Sequence, residues 1–203
     1  MISHLRPALV LLVLFTGLTG ILYPLAITGI AQVLLPAQAN GSRIVSDGKI
    51  SGSALIGQLF TSDRYFHGRP SATQAPDPKD DSKTVDAPYN AANSSGSNLG
   101  PLSKKLIERV NGDVDALRKA GATSIPPDAV TASASGLDPD ISPAFANLQV
   151  ARIAASRGVP EVRVRAILQQ QIQTPLLGVF GEPSVNVLQL NLALDASLKA
   201  SAG

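Results

Sequence analysis

The chain has 203 residues, of which 44% are hydrophobic and 16% are charged, and this composition excludes a disordered or collagen-like protein. Seventeen Lys and Arg against fifteen Asp and Glu leave a net charge of only +2, so the charge gives no support to nucleic-acid binding. The absence of Cys excludes disulfides and thiolate chemistry, and the length predicts one domain of ordinary size.

The hydrophobic residues are concentrated near the N-terminus. Residues 8–35 contain no charged side chain, whereas Arg6 precedes them and Arg43 is the next charged residue after them. About 20 helical residues are enough to cross the hydrocarbon core of a bilayer. The segment therefore predicts a single transmembrane helix.

The flanking charges predict which side of the membrane each part occupies. Positive charges next to a transmembrane helix favour the cytoplasm, so we expect residues 1–7 to be cytoplasmic and residues 40–203 to form an extracytoplasmic domain. A cleaved signal peptide is the alternative, since Ala37-Gln38-Ala39 matches a cleavage pattern. The apolar segment, however, is longer than the apolar region of most signal peptides.

Small and weakly polar residues recur every four positions inside this segment, at Thr16, Gly20, Pro24 and Thr28. That spacing keeps them near one helical face, and small faces favour close packing between membrane helices. We therefore expect Thr16 and Gly20 to contact a partner helix. The alternative is that Gly and Pro are simply common in membrane helices.

The chain after the membrane segment predicts a mixed α/β domain of the α+β class. A hairpin is expected across the turn Ser46-Asp47-Gly48, followed by a short helix from Ser53 to Phe60. Residues 67–100 are rich in Pro, Asp, Asn, Ser and Gly and predict a long irregular loop. A loop of this length is often functional.

Three helices are expected in the second half of the chain. The first covers residues 101–120 and ends at a Gly, the second begins after Ser142-Pro143 and ends near Gly158, and the third covers residues 160–174. The segment 185–195 fits a helix with an Asn186–Gln189 capping pair or a strand, and we favour the helix.

Few side chains are candidates for chemistry. His67 is the only His away from the membrane segment and no G-x-S-x-G motif is present, so no catalytic residue is predicted. The Asp residues between 77 and 86 are interrupted by Pro and predict solvated charges, so no metal site is expected. Asp138 and Asp140 predict a turn and a helix cap.

The cations and the Gly-containing loop give weaker signals. Arg69 and Arg109 stand as isolated cations in the sequence. Backbone amides of Ser94–Asn98 would suit an anion, but the chain has no P-loop pattern to support a phosphate site.

Five segments, in order after one apolar span, resemble the C chain of the Kdp-type potassium-transporting ATPase. They are residues 52–60, 65–72, 89–101, 126–146 and 185–195. The resemblance covers nearly the whole chain. Its motif loops contain Ser94, Gly96, Asn98, Ser135 and Asp138. Asp140 departs from the His or Asn that the family often has.

The resemblance implies a non-catalytic, single-span accessory subunit of the bacterial inner membrane with a periplasmic domain. Its partners would be a channel-like potassium-translocating chain, a P-type ATP-hydrolysing chain and a very small membrane peptide. The family is credited with assembly and with raising the ATP affinity of the hydrolysing chain. ATP and potassium would therefore act at the level of the complex, with no cofactor expected on this chain.

Contacts with these partners are expected at four side chains, because aromatic residues and Arg are favoured in protein interfaces. They are Tyr65, Phe66, Arg69 and Tyr89. Two other functions stay open: an anchored or secreted extracytoplasmic binding module unrelated to an ATPase, and an anchored enzyme of unrecognised mechanism.

Overall fold

A computed structural model of the chain describes residues 4–46, 48–175 and 177–199, apart from the side chains of Asp81 and Lys199. These residues form two compact units, which divide between Ser53 and Ala54. Asp47, in the predicted hairpin turn, lies outside the described residues, as do residues 1–3 and 200–203 at the ends of the predicted domains.

A continuous apolar helix dominates the first unit. It consists of α1 (Leu5–Gly17), a π-helical turn (Leu18–Leu22) and α2 (Tyr23–Leu34). No residue of the helix is buried. Among the described residues it is the one helix long and apolar enough to cross a membrane, which confirms the predicted N-terminal apolar helix.

The π-helical turn changes the spacing of the small residues. Within it the Tyr23 amide donates to the Leu18 carbonyl, five residues earlier, immediately before Pro24, which has no amide hydrogen to donate. In an α-helix each step of four residues overshoots a full turn by roughly 40°. A π turn takes more residues per turn, so Thr16, Gly20 and Pro24 lie closer to one line along the helix than an α-helix would place them.

A short helix and a hairpin complete the first unit. They are α3 (Pro36–Ala39), β1 (Arg43–Ser46) and β2 (Lys49–Ser53). The strands pair antiparallel with Arg43 opposite Ser53, which confirms the predicted hairpin. The Ser53 hydroxyl also donates to the Gly41 carbonyl at 2.7 Å. The hairpin therefore returns the chain to a point beside Gly41.

The second unit is built from three helices packed around a small sheet, beside a hairpin and one more helix. In chain order its elements are β3 (Gln74–Asp77), β4 (Asp80–Asp86), α4 (Lys104–Lys119), a 3-10 turn (Pro127–Ala129), β5 (Asp140–Ile141), α5 (Pro143–Arg157), α6 (Glu161–Gln171), β6 (Ile172–Gln173), β7 (Ser184–Asn186) and α7 (Val187–Lys199). The sheet order is β5-β7-β6, with antiparallel pairs. Ile153, Leu168 and Leu190 are fully buried at its centre. The mixed α+β architecture is confirmed.

The three predicted helices are present, and α5 begins and ends where its capping residues indicate. The Ser142 hydroxyl accepts from the Phe145 amide at 3.0 Å and starts α5, and Gly158 ends it with φ 67°. Helix α4 starts at Lys104, after Ser103, so it begins three residues later than the prediction. Helix α6 is confirmed from Glu161 to Gln171, but its predicted end at residue 174 is wrong, because Ile172 and Gln173 pair with β7 as a strand.

The predicted helix from Ser53 to Phe60 is wrong. Ser53 ends β2, and the Gly57 amide donates to the Leu137 carbonyl at 2.8 Å instead of to the preceding turn. A helix of eight residues is marginal without strong packing, and a Cβ at Gly57 would lie 2.6 Å from the Asp138 carbonyl oxygen. The segment is therefore held extended against another loop.

Two further expectations are corrected in part. Residues 67–100 are not irregular throughout, because β3 and β4 form a hairpin inside them. Pro76 fits β3 because both strands of a two-stranded sheet are edge strands. The segment 185–195 is both a strand and a helix: β7 ends at Asn186, whose side chain then accepts from the Gln189 amide at 3.1 Å and caps α7.

Two buried amide side chains hold one extended segment of the second unit. Asn191 accepts from the Phe66 amide at 2.8 Å and donates to the Phe66 carbonyl at 3.0 Å. Gln149 makes the same pair of bonds with His67, at 2.8 and 3.0 Å. We call this arrangement the amide clamp. It attaches residues 66–67 to α5 and α7 in the way that a neighbouring strand would.

Candidate functional site

Three loop segments of the second unit, residues 67–73, 87–98 and 131–140, come together, and we call this region the loop junction. Its charged contact joins Arg69 Nη1 to Asp138 Oδ2 at 2.7 Å, with both side chains about a quarter exposed. The prediction that Arg69 and Arg109 are isolated cations is wrong. Arg109 pairs with Asp113 at 2.7 Å and donates to the Val130 carbonyl at 3.0 Å.

Tyr89 lies at the centre of the loop junction. Its hydroxyl donates to the Arg69 carbonyl at 2.8 Å, and its backbone has φ 61°, which is uncommon for a residue other than Gly. The ring takes the space that a Cβ would need at Gly57 and at Gly68. Burial raises the pKa of Tyr89 to about 12, so the phenol stays protonated and acts as a donor at neutral pH.

Hydroxyl groups connect the rest of the loop junction. Ser71 donates to the Gly136 carbonyl at 2.8 Å and Thr73 donates to the Ala87 carbonyl at 2.6 Å. Ser133 accepts from the Gly136 amide at 3.0 Å. The Ser71 and Thr73 hydroxyls therefore join different loops, and the Ser133 hydroxyl stabilises its own loop.

The two motif loops contact each other within this region. The Ser95 amide and the Ser94 hydroxyl both donate to the Ser135 carbonyl at 3.0 Å. A Cβ at Gly96 would lie 2.8 Å from the Ala134 carbonyl oxygen, and Asn98 has φ 50°. The structure thus brings Ser94 against Ser135, which is 41 residues away in the sequence, and Gly96 against Ala134.

A cleft of about 440 Å³ opens beside the loop junction. Its charged lining consists of Arg69, Asp128, Asp138, Asp140 and Glu182. Asp128 accepts from both the amide and the hydroxyl of Ser142, at 2.7 and 2.9 Å. Burial raises the pKa of Asp140. Within the described part of the chain no three His, Asp or Glu side chains are arranged to hold a metal ion.

The roles predicted for Asp138 and Asp140 are partly corrected. Asp138 Oδ1 accepts from the Asp140 amide at 3.1 Å, which confirms the turn. The cap of α5, however, is Ser142, supported by Asp128. Asp128 is 14 residues before Ser142, and nothing in the sequence around it indicates that the two side chains are hydrogen-bonded.

Tyr65 and Phe66 lie in a different cluster from Arg69 and Tyr89. The Tyr65 hydroxyl donates to Asp195 at 2.9 Å, and this bond is the main cause of the raised pKa of Tyr65. The Arg157 guanidinium lies 5.0 Å from the Tyr65 ring centroid and pairs with Asp195 at 2.8 Å. Phe66 is 0% exposed and belongs to the hydrophobic core. It has no surface to offer a partner.

The predicted membrane contacts Thr16 and Gly20 belong to the first unit. Both are exposed, and a Cβ at Gly20 would meet no atom within 4 Å. The helix therefore has free space along the small-residue face, where another helix is able to approach.

His67 gives the second unit a pH dependence. Its Nε2 lies 3.1 Å from the Ser62 carbonyl, and burial, followed by the charge of Arg152, lowers its pKa despite the nearby Asp63. The unfolded chain then binds a proton more readily than the native one, so stability is complete above about pH 6.5 and falls as the pH is lowered below it.

We therefore expect the melting temperature of the wild type to fall more between about pH 7.5 and about pH 5.5 than that of His67→Gln. Gln retains an amide donor for the Ser62 carbonyl but does not titrate. Circular dichroism of both chains in the same detergent measures the difference. Equal falls in the two chains would contradict the role given to His67.

Comparisons with known proteins agree with one another over nearly the whole chain. The family described as "K+-transporting ATPase, c chain" matches residues 5–196. A potassium-transporting ATPase KdpC subunit of Bradyrhizobium diazoefficiens is 60% identical over 196 residues, which is 96% of this chain and 98% of the relative. KdpC subunits of Rhodopseudomonas palustris and Methylobacterium nodulans are 59% and 60% identical, with similar coverage.

Proposed function

This chain belongs to the KdpC family of K+-transporting ATPase c chains, and we propose that it is the membrane-anchored subunit that stabilises the assembled potassium-uptake complex. Membership makes it an accessory subunit of the potassium transport complex. The observation that carries the proposal is the match of the whole chain, from the apolar helix to α7, to proteins of that name. In this proposal the ATP-hydrolysing and ion-conducting work belongs to other chains.

The proposed partners are a channel-like potassium-translocating chain, a P-type ATP-hydrolysing chain and a very small membrane peptide. The exposed helix Leu5–Leu34 supports such packing, since it offers small residues at Thr16 and Gly20. Anchoring in the same bilayer raises the effective concentration of the second unit at its partners, so modest contacts there suffice. Tyr65, Arg69 and Tyr89 remain the proposed contacts, because each keeps some exposed surface.

The proposed orientation has the N-terminus in the cytoplasm and the second unit in the periplasm. Arg6, in the first turn of the helix, is the only Lys or Arg that precedes the uncharged residues 8–35, and the positive-inside rule then favours this direction. ATP is cytoplasmic, so any increase in ATP affinity would pass through the membrane subunits and not through direct contact. We place the second unit over the outer mouth of the potassium-conducting chain.

Trypsin distinguishes the two orientations. Lys79 and Lys83 are exposed in the β3–β4 hairpin, away from the core. We expect cleavage there when the enzyme is added outside spheroplasts, and protection in inside-out vesicles. The reverse pattern would show a cytoplasmic domain and remove the proposed orientation.

Replacing Gly20 by Leu should reduce co-purification with the two larger membrane chains, because the added side chain fills the face that a partner helix approaches. The loss is measured as the yield of potassium-stimulated ATPase recovered in mild detergent. Gly29→Leu is the matched control, since Gly20 and Gly29 both have open space around their Cβ positions. Equal recovery with the two variants would contradict packing at Gly20, and elution of the wild-type chain alone would contradict the subunit role.

A further inference from the structure

A second cleft of the second unit, of about 480 Å³, is lined by residues of α4 and of the loop 94–98. Its two basic lining residues, Lys105 and Arg109, are four positions apart in α4 and therefore lie on one face of the helix. Among the described residues that line it, Asp86 is the only acidic one, and its side chain is exposed. We call this site the basic cleft.

The start of α4 has a positive charge that the helix itself does not compensate. Lys104 and Lys105 occupy the first turn, which contains no acidic residue, and Ser103 makes no side-chain hydrogen bond to it. The helix dipole already makes this end positive, so Asp or Glu is favoured there and Lys is not. Within the described part of the chain, Lys105 also forms no salt bridge. A sequence that departs from a local rule in this way often does so at a functional site.

Arg109 has a donor that the fold leaves unused. Its Nη1 bonds to Asp113 and to the Val130 carbonyl, but its Nε is buried and has no hydrogen-bond partner. A buried donor without a partner is unfavourable, and a carboxylate is the group that a guanidinium binds through two parallel hydrogen bonds. The basic cleft thus combines an unpaired ammonium group with a guanidinium that is able to accept a further anionic partner.

The remaining lining indicates which kind of anion fits. Pro70, Ala72, Pro88 and Leu99 give the cleft an apolar portion, whereas no aromatic side chain is among the described residues that line it. Stacking on aromatic rings is a common way to hold a nucleotide base, and this cleft does not offer it. Its volume also suits a ligand larger than a single phosphate ion. Apolar contacts beside two cations fit a peptide that contains Asp or Glu.

We propose that the basic cleft binds an acidic segment of another chain of the potassium-transport complex, with Lys105 and Arg109 as its carboxylate contacts. The inference rests on the proposed subunit role. No residue of α4 is buried, so the helix is accessible from outside the unit. Complementary charges fix the orientation of two partners more than they raise affinity. The contact would therefore determine how the second unit is oriented on that chain.

Zero-length cross-linking with a carbodiimide tests the contact, because this reagent joins a Lys amine only to a carboxylate that touches it. Applied to the complex purified in mild detergent, it should link Lys105 to an Asp or Glu of another chain, and mass spectrometry identifies the linked peptides. Lys105→Glu should lower the recovery of the partner chains several-fold, since like charges then face each other. Lys104→Glu is the matched control. It makes the same charge change in the same exposed turn, but Lys104 is not one of the described lining residues.

Both substitutions place a carboxylate in the first turn of α4, where the helix dipole favours it, so both variants should keep the fold, and circular dichroism verifies this. Equal recovery of the partner chains with the two variants would overturn the proposal, as would the absence of a cross-link at Lys105 in an intact wild-type complex. Either result would leave the subunit role standing.

Two other occupants of the basic cleft would also overturn the proposal. A cross-link from Lys105 to a second copy of this chain would assign the cleft to self-association. Sodium tripolyphosphate tests for a phosphate ligand on the full chain in detergent. A rise in melting temperature that Lys105→Glu abolishes and Lys104→Glu retains would assign the cleft to that ligand.

Discussion

Replacing Phe66 by Ala should lower the free energy of unfolding by about 3–5 kcal/mol. The ring is 0% exposed and packs in the core with residues of α5, α6 and α7. Removing it leaves a cavity that the amide clamp prevents from collapsing, because Asn191 holds both backbone groups of this residue in place. The loss would be of the order of a third or more of the stability of an ordinary domain.

Denaturant unfolding of the full chain in mild detergent, followed by circular dichroism, measures this effect. Phe180→Ala is the matched control, since it removes the same side chain from a position that is 66% exposed, and it should change stability by less than about 0.5 kcal/mol. Similar small losses in both variants would contradict the core position of Phe66 and would return it to the candidates for partner contact.

Replacing Gly136 by Ala should destabilise the second unit by about 2–5 kcal/mol. The residue has φ 67°, which costs an L-residue about 1–2 kcal/mol. A Cβ there would lie 2.6 Å from the Ser95 carbonyl oxygen, and overpacking adds about 1–3 kcal/mol. Because both motif loops approach at this point, the substitution should also separate Ser94 from Ser135.

Gly158→Ala separates the two contributions. Gly158 has the same φ of 67°, but a Cβ there meets no atom within 4 Å. Its substitution should cost only the backbone penalty of about 1–2 kcal/mol. Unfolding midpoints of the two variants give the difference. Equal losses of stability in the two variants would mean that the close approach at Gly136 adds no steric penalty. The loop junction would then be looser than its distances indicate.

Local signals in the sequence predicted the apolar helix and α5 correctly. Residues 8–35 indicated the apolar helix from the absence of charge alone, and Ser142 with Gly158 marked both ends of α5. These features depend on residues a few positions apart, which propensity and capping govern. Pro24, which removes one backbone donor, is the partial signal for the π turn at Leu18–Leu22.

Contacts between residues far apart in the sequence could not be predicted. Arg69 and Asp138 are 69 residues apart, and the bonds of Asn191 with Phe66 cross 125 residues. No pattern within either segment indicates such partners, because the pairing follows from how the loops pack. The same cause explains the wrong helix at Ser53–Phe60, where Gly57 bonds to Leu137 instead. Family resemblance located the motif loops but did not indicate that they contact each other.

The amide clamp has a consequence for the order in which the protein forms. Asn191 leaves the ribosome 125 residues after Phe66, a delay of roughly 6–25 s at ordinary translation rates. The apolar helix is complete long before that. During this interval the segment around Phe66 has no helix α7 to bind, and its aromatic ring stays available to chaperones or to neighbouring nascent chains. The chain thus completes its apolar helix well before its second unit is able to fold.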